Sequence, residues 1–480
     1  MSQDELSPSP SPTQGVPVVN VAVEAPPLYE RHIKIYPRSV TGRFASWRWI
    51  LVWFTQVLYY GLCWLPWNGR QAVLFDLVER KFYIFGLIFW PQDVIYLSVL
   101  MIIAAYGLFL FTAIGGRLFC GYACPQTVYS EIFVWIEERI EGVRATRMKL
   151  DRQPMTGRKL ALKTGKNAIW IILAFWTGFT FVGYFTPIKT LSLSVVNLSL
   201  GPWETFWILF YGFATYGNAG YMREQVCKYM CPYARFQGVM FDPDTLVVTY
   251  DAERGEPRGS RSKKVDHRAE GKGDCVDCGI CVQVCPTGID IRKGLQYECI
   301  GCSACIDACD QVMDKLEYPK GLIRYSTEHA IERRWGRKEI LAHLFRPRII
   351  IYGVILAGIV VAGAYGIATR LPLKVDVIRD RNTLSREVEN GLIENLFRLQ
   401  IMNVSESAHR YAIRVSGMEG IDIASERIVE VPAAGARIVA VPVRAPPESG
   451  RKGSNRIYFD VKTIGDEKIA VHEKASFLMP

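Results

Sequence analysis

Residues 275–286 read CVDCGICVQVCP, and residues 299–310 read CIGCSACIDACD. Both stretches have the spacing Cys-x2-Cys-x2-Cys-x3-Cys. The two-residue gaps let three thiolates bind one iron–sulfur cube, and in two-cluster ferredoxins the fourth cysteine of each run ligates the other cluster. The spacing therefore predicts a small α+β ferredoxin-like domain with two [4Fe–4S] clusters.

The same rule divides the cysteines of both runs into two ligand sets. We expect one cluster to be held by Cys275, Cys278, Cys281 and Cys309, and the other by Cys285, Cys299, Cys302 and Cys305. Small residues at Gly279, Gly301 and Ala304 are expected to leave room for inorganic sulfide. Two zinc ribbons or a disulfide knot are the alternatives. Zinc sites seldom need two such dense runs, and a cytoplasmic position disfavours disulfides.

Two further motifs resemble each other, since residues 119–125 read FCGYACP and residues 226–232 read VCKYMCP. A four-residue offset on a helix places both sulfurs of a pair on one face, and the following proline favours a turn or a helix start. Soft thiolates at this spacing suit Cu(I) or a reversible dithiol/disulfide couple. We therefore interpret Cys120, Cys124, Cys227 and Cys231 as a copper-binding or relay site. The alternative is that they are buried apolar cysteines.

Basic residues lie close to these two motifs in the sequence. We expect Arg117, Arg223 and Lys228 to lower the pKa of the thiols, because a nearby positive charge favours the thiolate. Cys63 has no such neighbours, and we predict that it is a packing residue in an apolar helix.

Five apolar stretches are near the length needed to cross a bilayer. They cover about residues 47–67, 94–113, 168–187, 203–222 and 349–368. Ten basic residues separate the second and third stretches, whereas Lys189 alone follows the third. The positive-inside rule then places the N-terminus and the ferredoxin-like segment in the cytoplasm and exports the region after the fifth stretch.

The patterns together predict a multi-domain chain with an α-helical membrane domain. We assign residues 1–30 to a disordered tail, 31–250 to a membrane domain with four transmembrane helices, 251–345 to a linker and an inserted cytoplasmic ferredoxin-like domain, 346–369 to a fifth transmembrane helix, and 370–480 to an exported β-domain. Residues 130–143 predict an amphipathic helix along the cytoplasmic membrane face. Alternating runs at 411–415, 427–431, 437–443 and 456–461 predict an all-β, immunoglobulin-like sandwich.

Composition excludes several classes of function. The chain has 57 Lys and Arg against 47 Asp and Glu, but this excess flanks apolar stretches and does not indicate nucleic-acid binding. All six histidines lie outside the five stretches, which excludes a bis-histidine haem or a histidine-ligated copper centre inside the bilayer. No dinucleotide-binding fingerprint follows a predicted strand. The sequence thus indicates electron carriers without a site for a two-electron organic substrate.

Residues 116–126, GRLFCGYACPQ, resemble a known family together with the second Cys-x3-Cys-Pro motif, the two cysteine runs and the β-rich tail. This is the CcoG family, also written RdxA or FixG, whose members are accessory proteins for assembly of the bacterial cbb3-type cytochrome c oxidase. Related polyferredoxins of nitrate and nitrous-oxide respiration share the cysteine motifs. The fifth span followed by an exported β-domain sets this chain apart from them.

The resemblance implies a cupric reductase of the bacterial cytoplasmic (inner) membrane, in which electrons pass through the clusters and convert Cu(II) to Cu(I) for the oxidase. It implies the oxidase assembly machinery and a copper-transporting P-type ATPase as partners, and it leaves the electron donor and a homodimeric state open. The ferredoxin-like domain is then expected to dock against the cytoplasmic ends of spans two and four. The alternatives are a subunit that carries quinol electrons to a respiratory reductase and a non-redox assembly scaffold.

Overall fold

Long apolar helices form at the places where the sequence is richest in aliphatic and aromatic residues. The computed structural model describes residues 34–261, 271–343, 345–380 and 385–480, so the predicted tail at 1–30 lies outside the described residues. Within these ranges, three helices are long and apolar enough to cross a membrane: Pro91–Gly115, Gly157–Val182 and Pro347–Ala368.

The first part of the chain is mostly helical. Its helices are α1 (Arg43–Gly61), α2 (Val94–Gly115), α3 (Leu118–Tyr122), α4 (Pro125–Glu141), α5 (Arg144–Arg152), α6 (Gly157–Val182), α7 (Ile188–Val196), α8 (Pro202–Thr215) and α9 (Pro232–Met240), with π-helical segments at Tyr216–Met222 and Val226–Met230. Five short strands follow α1, namely β1 (Pro66–Trp67), β2 (Arg70–Gln71), β3 (Val73–Asp76), β4 (Lys81–Ile84) and β5 (Leu87–Phe89).

The predicted first span at 47–67 is wrong at its C-terminal end. Helix α1 ends at Gly61, and strands β1 and β2 form a tight hairpin. Pro66 cannot continue a helix because it lacks an N–H donor. Asn68 and Gly69 both have positive φ angles, 45° and 78°, as a two-residue hairpin turn requires.

The predicted third and fourth spans also differ from the helices that form. Helix α6 begins at Gly157, well before the predicted start at residue 168, and ends at Val182. Helix α8 ends at Thr215 and continues as a π-helix to Met222. The two helices pack closely, since a Cβ atom added at Gly178 would lie 2.4 Å from the carbonyl oxygen of Ile208.

The cysteine-rich segment forms a small α+β domain. Its elements are β6 (Val247–Tyr250), α10 (Ala252–Gly255), α11 (Ile280–Gln283), α12 (Ala304–Leu316), β7 (Ile323–Ser326), α13 (Glu328–Glu332) and α14 (Arg337–His343). Strands β6 and β7 pair antiparallel, with Val247 opposite Ser326. Ile306 and Met313 of α12 are buried against this ribbon in one apolar cluster, which holds the cysteine runs on a rigid support.

The C-terminal part begins after a long apolar helix and is a two-sheet sandwich, as predicted. The helix before it is α15 (Pro347–Ala368). The strands of the sandwich are β8 (Leu373–Arg379), β9 (Arg386–Glu387), β10 (Ile393–Asn403), β11 (His409–Ser416), β12 (Asp422–Ile423), β13 (Ile428–Val431), β14 (Ala436–Ala445), β15 (Gly453–Thr463) and β16 (Asp466–Met479). One sheet has the order β12-β14-β10-β8 with β9 beside β10, and the other has the order β13-β11-β15-β16. Phe397 and Phe459 meet in the core with ring centroids 5.2 Å apart.

The ferredoxin-like domain and the sandwich contact opposite ends of the long helices. At one end, the backbone N–H of Leu246, directly before β6, donates to the carbonyl of Ile114 near the end of α2. At the other end, Lys374 of β8 forms an ion pair with Asp93, which precedes α2. The hairpin after α1 contacts the sandwich, where Glu406 accepts a 3.1 Å hydrogen bond from the indole of Trp67.

Candidate iron–sulfur and thiol site

The two cysteine runs have the same backbone conformation. In the first run Asp277 and Gly279 have φ angles of 53° and 63°, and at the equivalent positions of the second run Gly301 and Ser303 have 68° and 61°. Left-handed residues at such positions turn successive amides towards a common concavity, which favours a negatively charged ligand. Helices α11 and α12 then begin directly after Gly279 and Ser303.

The first predicted ligand set surrounds one small cavity. Cys275, Cys278, Cys281 and Cys309 all line it. The fourth cysteine comes from the second run, as the crossed arrangement requires. Four converging thiols are the donor set of a [4Fe–4S] cluster, so these residues fit that group.

The second predicted set surrounds a neighbouring small cavity. Cys285, Cys299, Cys302 and Cys305 line it. Cys281 lines both cavities, so the two sites are adjacent. The structure thus brings each predicted set together, and the assignment of these thiols as cluster ligands stays a prediction.

The expectation that small residues in the runs leave room for inorganic sulfide stays a prediction. A Cβ atom at Gly279 would meet no protein atom within 4 Å, and the left-handed backbone there also favours glycine. At Gly301 a Cβ atom would lie 3.2 Å from the carbonyl oxygen of Arg117. Another part of the chain therefore packs closely on Gly301.

Burial raises the pKa of a free thiol in each set. It raises the pKa of Cys281 to about 11, while Arg292 opposes the shift. It raises the pKa of Cys302 to about 12, and the guanidinium of Arg48 opposes that shift. These two thiols are therefore protonated at neutral pH in the absence of iron, and they must release their protons when they bind a metal cluster.

The two Cys-x3-Cys-Pro motifs do not form continuous helices. Cys120 lies in α3 and Cys227 in a π-helical segment, whereas Cys124 and Cys231 are the N-cap residues of α4 and α9. The expectation that both sulfurs of a pair share one helical face is therefore wrong. A proline disfavours the helical conformation in the residue before it, and both N-cap cysteines are extended with ψ angles of 128° and 109°. The predicted helix start at the proline is confirmed.

The thiols of Cys120, Cys124, Cys227 and Cys231, which we call the membrane-edge thiols after their predicted position, nevertheless lie in one neighbourhood. Cys120 and Cys227 pack in the same apolar cluster, which also contains Cys302 of the second run. The thiol of Cys120 is 3.4 Å from the amide nitrogen of Gln237 in α9. Cys124 and Cys231 act electrostatically on the thiol of Cys227, which links both motifs.

The expected lowering of thiol pKa values by nearby basic residues is wrong. Burial raises the pKa of Cys120 to about 11 and that of Cys227 to about 12, and Arg117 only partly opposes either shift. Arg223 instead lies 2.6 Å from the carboxylate of Glu137. Desolvation therefore outweighs the local positive charge.

No single-ion centre is preformed in the described parts of the chain. Among those residues, no group of three or more His, Cys, Asp or Glu side chains could hold one metal ion. The four membrane-edge thiols thus do not converge on one point. Each motif supplies one pair of cysteines. A soft monovalent ion such as Cu(I) needs few thiolate ligands.

Helix α3 lies directly on the second cysteine run. A Cβ atom at Gly121 would be 2.8 Å from the carbonyl oxygen of Gly301 and 2.9 Å from Cα of Cys302. Arg117 donates to the carbonyl of Cys299 over 3.4 Å and to that of Ala234 over 2.7 Å. The first thiol motif and one predicted cluster site are therefore in backbone contact.

The expected docking of the ferredoxin-like domain is confirmed at two places and extended to a third. Besides the contact through α3, Tyr297 donates to the carbonyl of Lys228 in the second motif over 3.3 Å. The additional contact is at α1, where Asp307 accepts from the backbone N–H groups of Phe44 and Ala45.

Comparison with known proteins agrees with this arrangement. Family models match residues 97–144 as a 4Fe-4S binding domain, residues 222–328 as a 4Fe-4S dicluster domain and residues 363–480 as the IG-like fold at the C-terminus of FixG. The chain is 38% identical over 431 residues to the nitrogen fixation protein FixG of Rhizobium meliloti, covering 83% of this chain and 82% of the relative. It is 38% identical over 405 residues to protein RdxA of Cereibacter sphaeroides, covering 82% and 85%. Protein RdxB of the same organism is 38% identical over 419 residues, covering 85% and 87%.

The chain belongs to the FixG/RdxA/RdxB family. It is an iron–sulfur electron-transfer protein with ferredoxin-type [4Fe–4S] domains and an immunoglobulin-like C-terminal domain. Membership of the FixG family and the three long apolar helices indicate a membrane protein.

A group of buried charges beside the second thiol motif of this FixG-family chain was not predicted. Glu137 is fully buried and lies 3.6 Å from Arg147, 3.9 Å from Lys166 and 2.6 Å from Arg223. The sequence contains a sign of this group, because Glu137 and Glu141 are four residues apart and therefore on one face of the amphipathic helix. Buried charges of this kind are tolerated only when they are paired.

The predicted amphipathic helix at 130–143 forms, within α4, but its apolar face has a protein partner. Phe133 stacks on Trp170 of α6 with ring centroids 5.1 Å apart.

Cys63 lies in an apolar cluster with Val182 and Leu191, which confirms that it is a packing residue.

Proposed function

We propose that this FixG-family protein is a cupric reductase, which reduces Cu(II) to Cu(I) and supports assembly of the cbb3-type cytochrome c oxidase. The observation that carries the proposal is the contact of Gly121, between Cys120 and Cys124, with the backbone of Gly301 and Cys302. It brings a soft-metal ligand motif against a predicted electron carrier. The four membrane-edge cysteines are then the site at which copper binds and is reduced.

The chemistry of the two sites is compatible. [4Fe–4S] clusters, when bound, supply single electrons, and the conversion of Cu(II) to Cu(I) consumes one. Thiolates are soft ligands that favour Cu(I) over harder ions. The half-buried thiols of Cys120 and Cys227 are protonated when free, so binding of copper releases protons to water.

Neighbouring side chains position the thiols of the first motif. Gln237 holds the thiol of Cys120 through its side-chain amide. Thr127 donates a 2.5 Å hydrogen bond to the carbonyl of Cys120, which fixes α3 relative to α4. The Cys120 thiol is thereby oriented before copper arrives.

We further propose that the chain crosses the bacterial inner membrane five times. The two spans beyond the three long apolar helices would be α1 and α8 with its π-helical extension. The ferredoxin-like domain would be cytoplasmic and the sandwich periplasmic. In support, the two domains contact opposite ends of α2, through Leu246 beside β6 and through Lys374 of β8.

Partners follow from the family resemblance. We propose the oxidase assembly machinery and a copper-transporting P-type ATPase, which would take the Cu(I) product. The edge strands of the sandwich are β8 and β12 in one sheet and β13 and β16 in the other, among the described residues. Edge strands present unpaired backbone groups to a partner on the exported side.

The test is copper reduction by the purified, full-length protein in lipid vesicles. Reduced protein is mixed with Cu(II), and Cu(I) is measured with a chelator that is specific for it. The Cys120→Ser/Cys124→Ser and Cys227→Ser/Cys231→Ser variants should lose the activity, and Cys63→Ala, outside both motifs, should keep it. Full activity in both double variants would refute the proposed site. If the protein oxidises a quinol without copper and its clusters are reduced normally, the respiratory-subunit alternative is favoured instead.

A further inference from the structure

Two arginines from the membrane domain flank the second cysteine set. Arg48 of α1 is only 7% exposed and lines one cavity with Cys302 and Cys227. Arg117 is also 7% exposed, and its guanidinium reaches the carbonyl of Cys299. Both positive charges therefore lie within the protein, where water screens them weakly.

Arg48 shares its cavity with the carboxylates of Glu131, Glu138 and the buried Glu224. The nearest carboxylate to Arg48 by ion pairing is Glu131, at the long distance of 3.8 Å. Asp307 also acts on Arg48, but its oxygens accept from the first amides of α1. Arg117 is held by backbone carbonyls, including that of Ala234.

The first cysteine set has a different environment. The cation that lines its cavity is Arg292, and it is bound by Asp290 at 2.8 Å and by Asp277 at 2.5 Å. A further carboxylate, Asp310, acts on the thiol of Cys309. Cys278 of this set is exposed to solvent, in contrast to the buried Cys302.

This difference matters because a cluster with four thiolates becomes more negative on reduction. Burial penalises the more highly charged form, and a nearby positive charge favours it. Without the two arginines, the buried second site would be the harder one to reduce. It is also the site that contacts the thiol motif through Gly121.

We propose that the positive charges of Arg48 and Arg117 raise the reduction potential of the second cluster. This is the cluster held by Cys285, Cys299, Cys302 and Cys305. The two charges come from the membrane domain, so docking of the ferredoxin-like domain sets the potential of its inner site. The inference rests on the predicted ligand assignment and not on copper as the substrate.

The experiment is a redox titration of the purified, full-length protein without copper, followed by electron paramagnetic resonance. The variants are Arg48→Gln, Arg48→Lys and Arg43→Gln, the last removing an exposed charge from the same helix. Cys302→Ser identifies the signal of the second cluster. We expect Arg48→Gln to shift that signal alone to lower potential, and Arg48→Lys and Arg43→Gln to leave it near the wild-type value.

An unchanged potential in Arg48→Gln at normal iron content would overturn the proposal. So would an equal shift of both clusters, or a shift in Arg48→Lys as large as that in Arg48→Gln. Arg117→Gln removes structural hydrogen bonds as well, and its result is compared only at equal iron content. Since no copper is present, failure here leaves the copper-reductase proposal intact.

Discussion

The carboxylate of Asp307 accepts a 2.7 Å hydrogen bond from the backbone N–H of Ala45. Asp307 lies between Cys305 and Cys309 of the second run, and Ala45 is in the first turn of α1. Helix α1 has Gly42 at its N-cap and no side-chain cap of its own. The ferredoxin-like domain therefore supplies both the cap and the negative charge that a helix N-terminus favours.

Replacement of Asp307 by alanine should weaken this docking. The lost cap is worth about 1–2 kcal/mol, so the melting temperature in detergent should fall while the iron content stays normal. Asp314→Ala is the control, because Asp314 is an exposed residue of the same helix, α12. Equal melting temperatures for Asp307→Ala and the wild type would show that the cap does not hold the two domains together.

Replacement of Gly121 by alanine should separate the thiol motif from the second cysteine run. The added Cβ atom would lie 2.8 Å from the carbonyl oxygen of Gly301, and overpacking of this kind costs about 1–3 kcal/mol. We expect clusters that remain reducible by dithionite and slower reduction of copper. Gly107→Ala is the matched control, since its Cβ atom would meet nothing within 4 Å. Unchanged copper reduction in Gly121→Ala would count against the proposed electron path.

Local spacing was sufficient to predict the parts of this protein that local chemistry determines. The crossing of Cys285 and Cys309 into opposite sets follows from ligand spacing alone, and each set lines its own cavity. Alternating hydrophobicity likewise predicted strands such as β11 and β15. In these regions neighbouring residues carry the whole signal.

Features that depend on contacts between distant segments could not be predicted in this way. The pKa values of Cys120 and Cys227 depend mainly on burial, so the nearby Arg117 was a poor guide to them. The end of the predicted first span is wrong for a different, local reason, because Pro66 and the Asn68-Gly69 turn interrupt the apolar run.

The purified protein should contain about eight irons per chain and absorb broadly at about 400 nm, because two complete sets of four cysteines are present. Iron analysis and absorption spectra check this. Stoichiometric zinc with almost no iron would refute the cluster prediction. A value of about twelve irons would instead assign a third cluster to the four membrane-edge thiols, and the copper proposal would lose its site.

Reporter fusions should show the ferredoxin-like domain and the sandwich on opposite sides of the membrane. A reporter fused after Pro480 should be active only outside the cytoplasm, and one inserted near Gly259 only inside, because basic residues flank alternate apolar stretches. Alkaline phosphatase and green fluorescent protein report the two sides. A cytoplasmic C-terminus would mean that at least one of the five proposed spans does not cross the bilayer, and a cytoplasmic reporter at both sites would identify α15 as that span.

The affinity of the protein for Cu(I) should rise steeply with pH. Burial raises the pKa of Cys120 to about 11 and that of Cys227 to about 12, so these thiols are protonated throughout the range from about pH 6 to about pH 8. Each thiol that binds Cu(I) in this range releases one proton, which increases the apparent association constant about tenfold per pH unit. Two thiolate ligands therefore predict an increase of about a hundredfold per pH unit, measured by competition with a Cu(I) chelator of known pH dependence.

The Cys120→Ser and Cys227→Ser variants should each show a shallower slope and weaker binding if that thiol is a ligand, because a serine hydroxyl is a hard ligand that does not ionise at these pH values. Cys63→Ala should bind copper as the wild type does. An affinity that does not change with pH, or that survives in both double-serine variants, would show that the membrane-edge thiols are structural and that copper binds elsewhere.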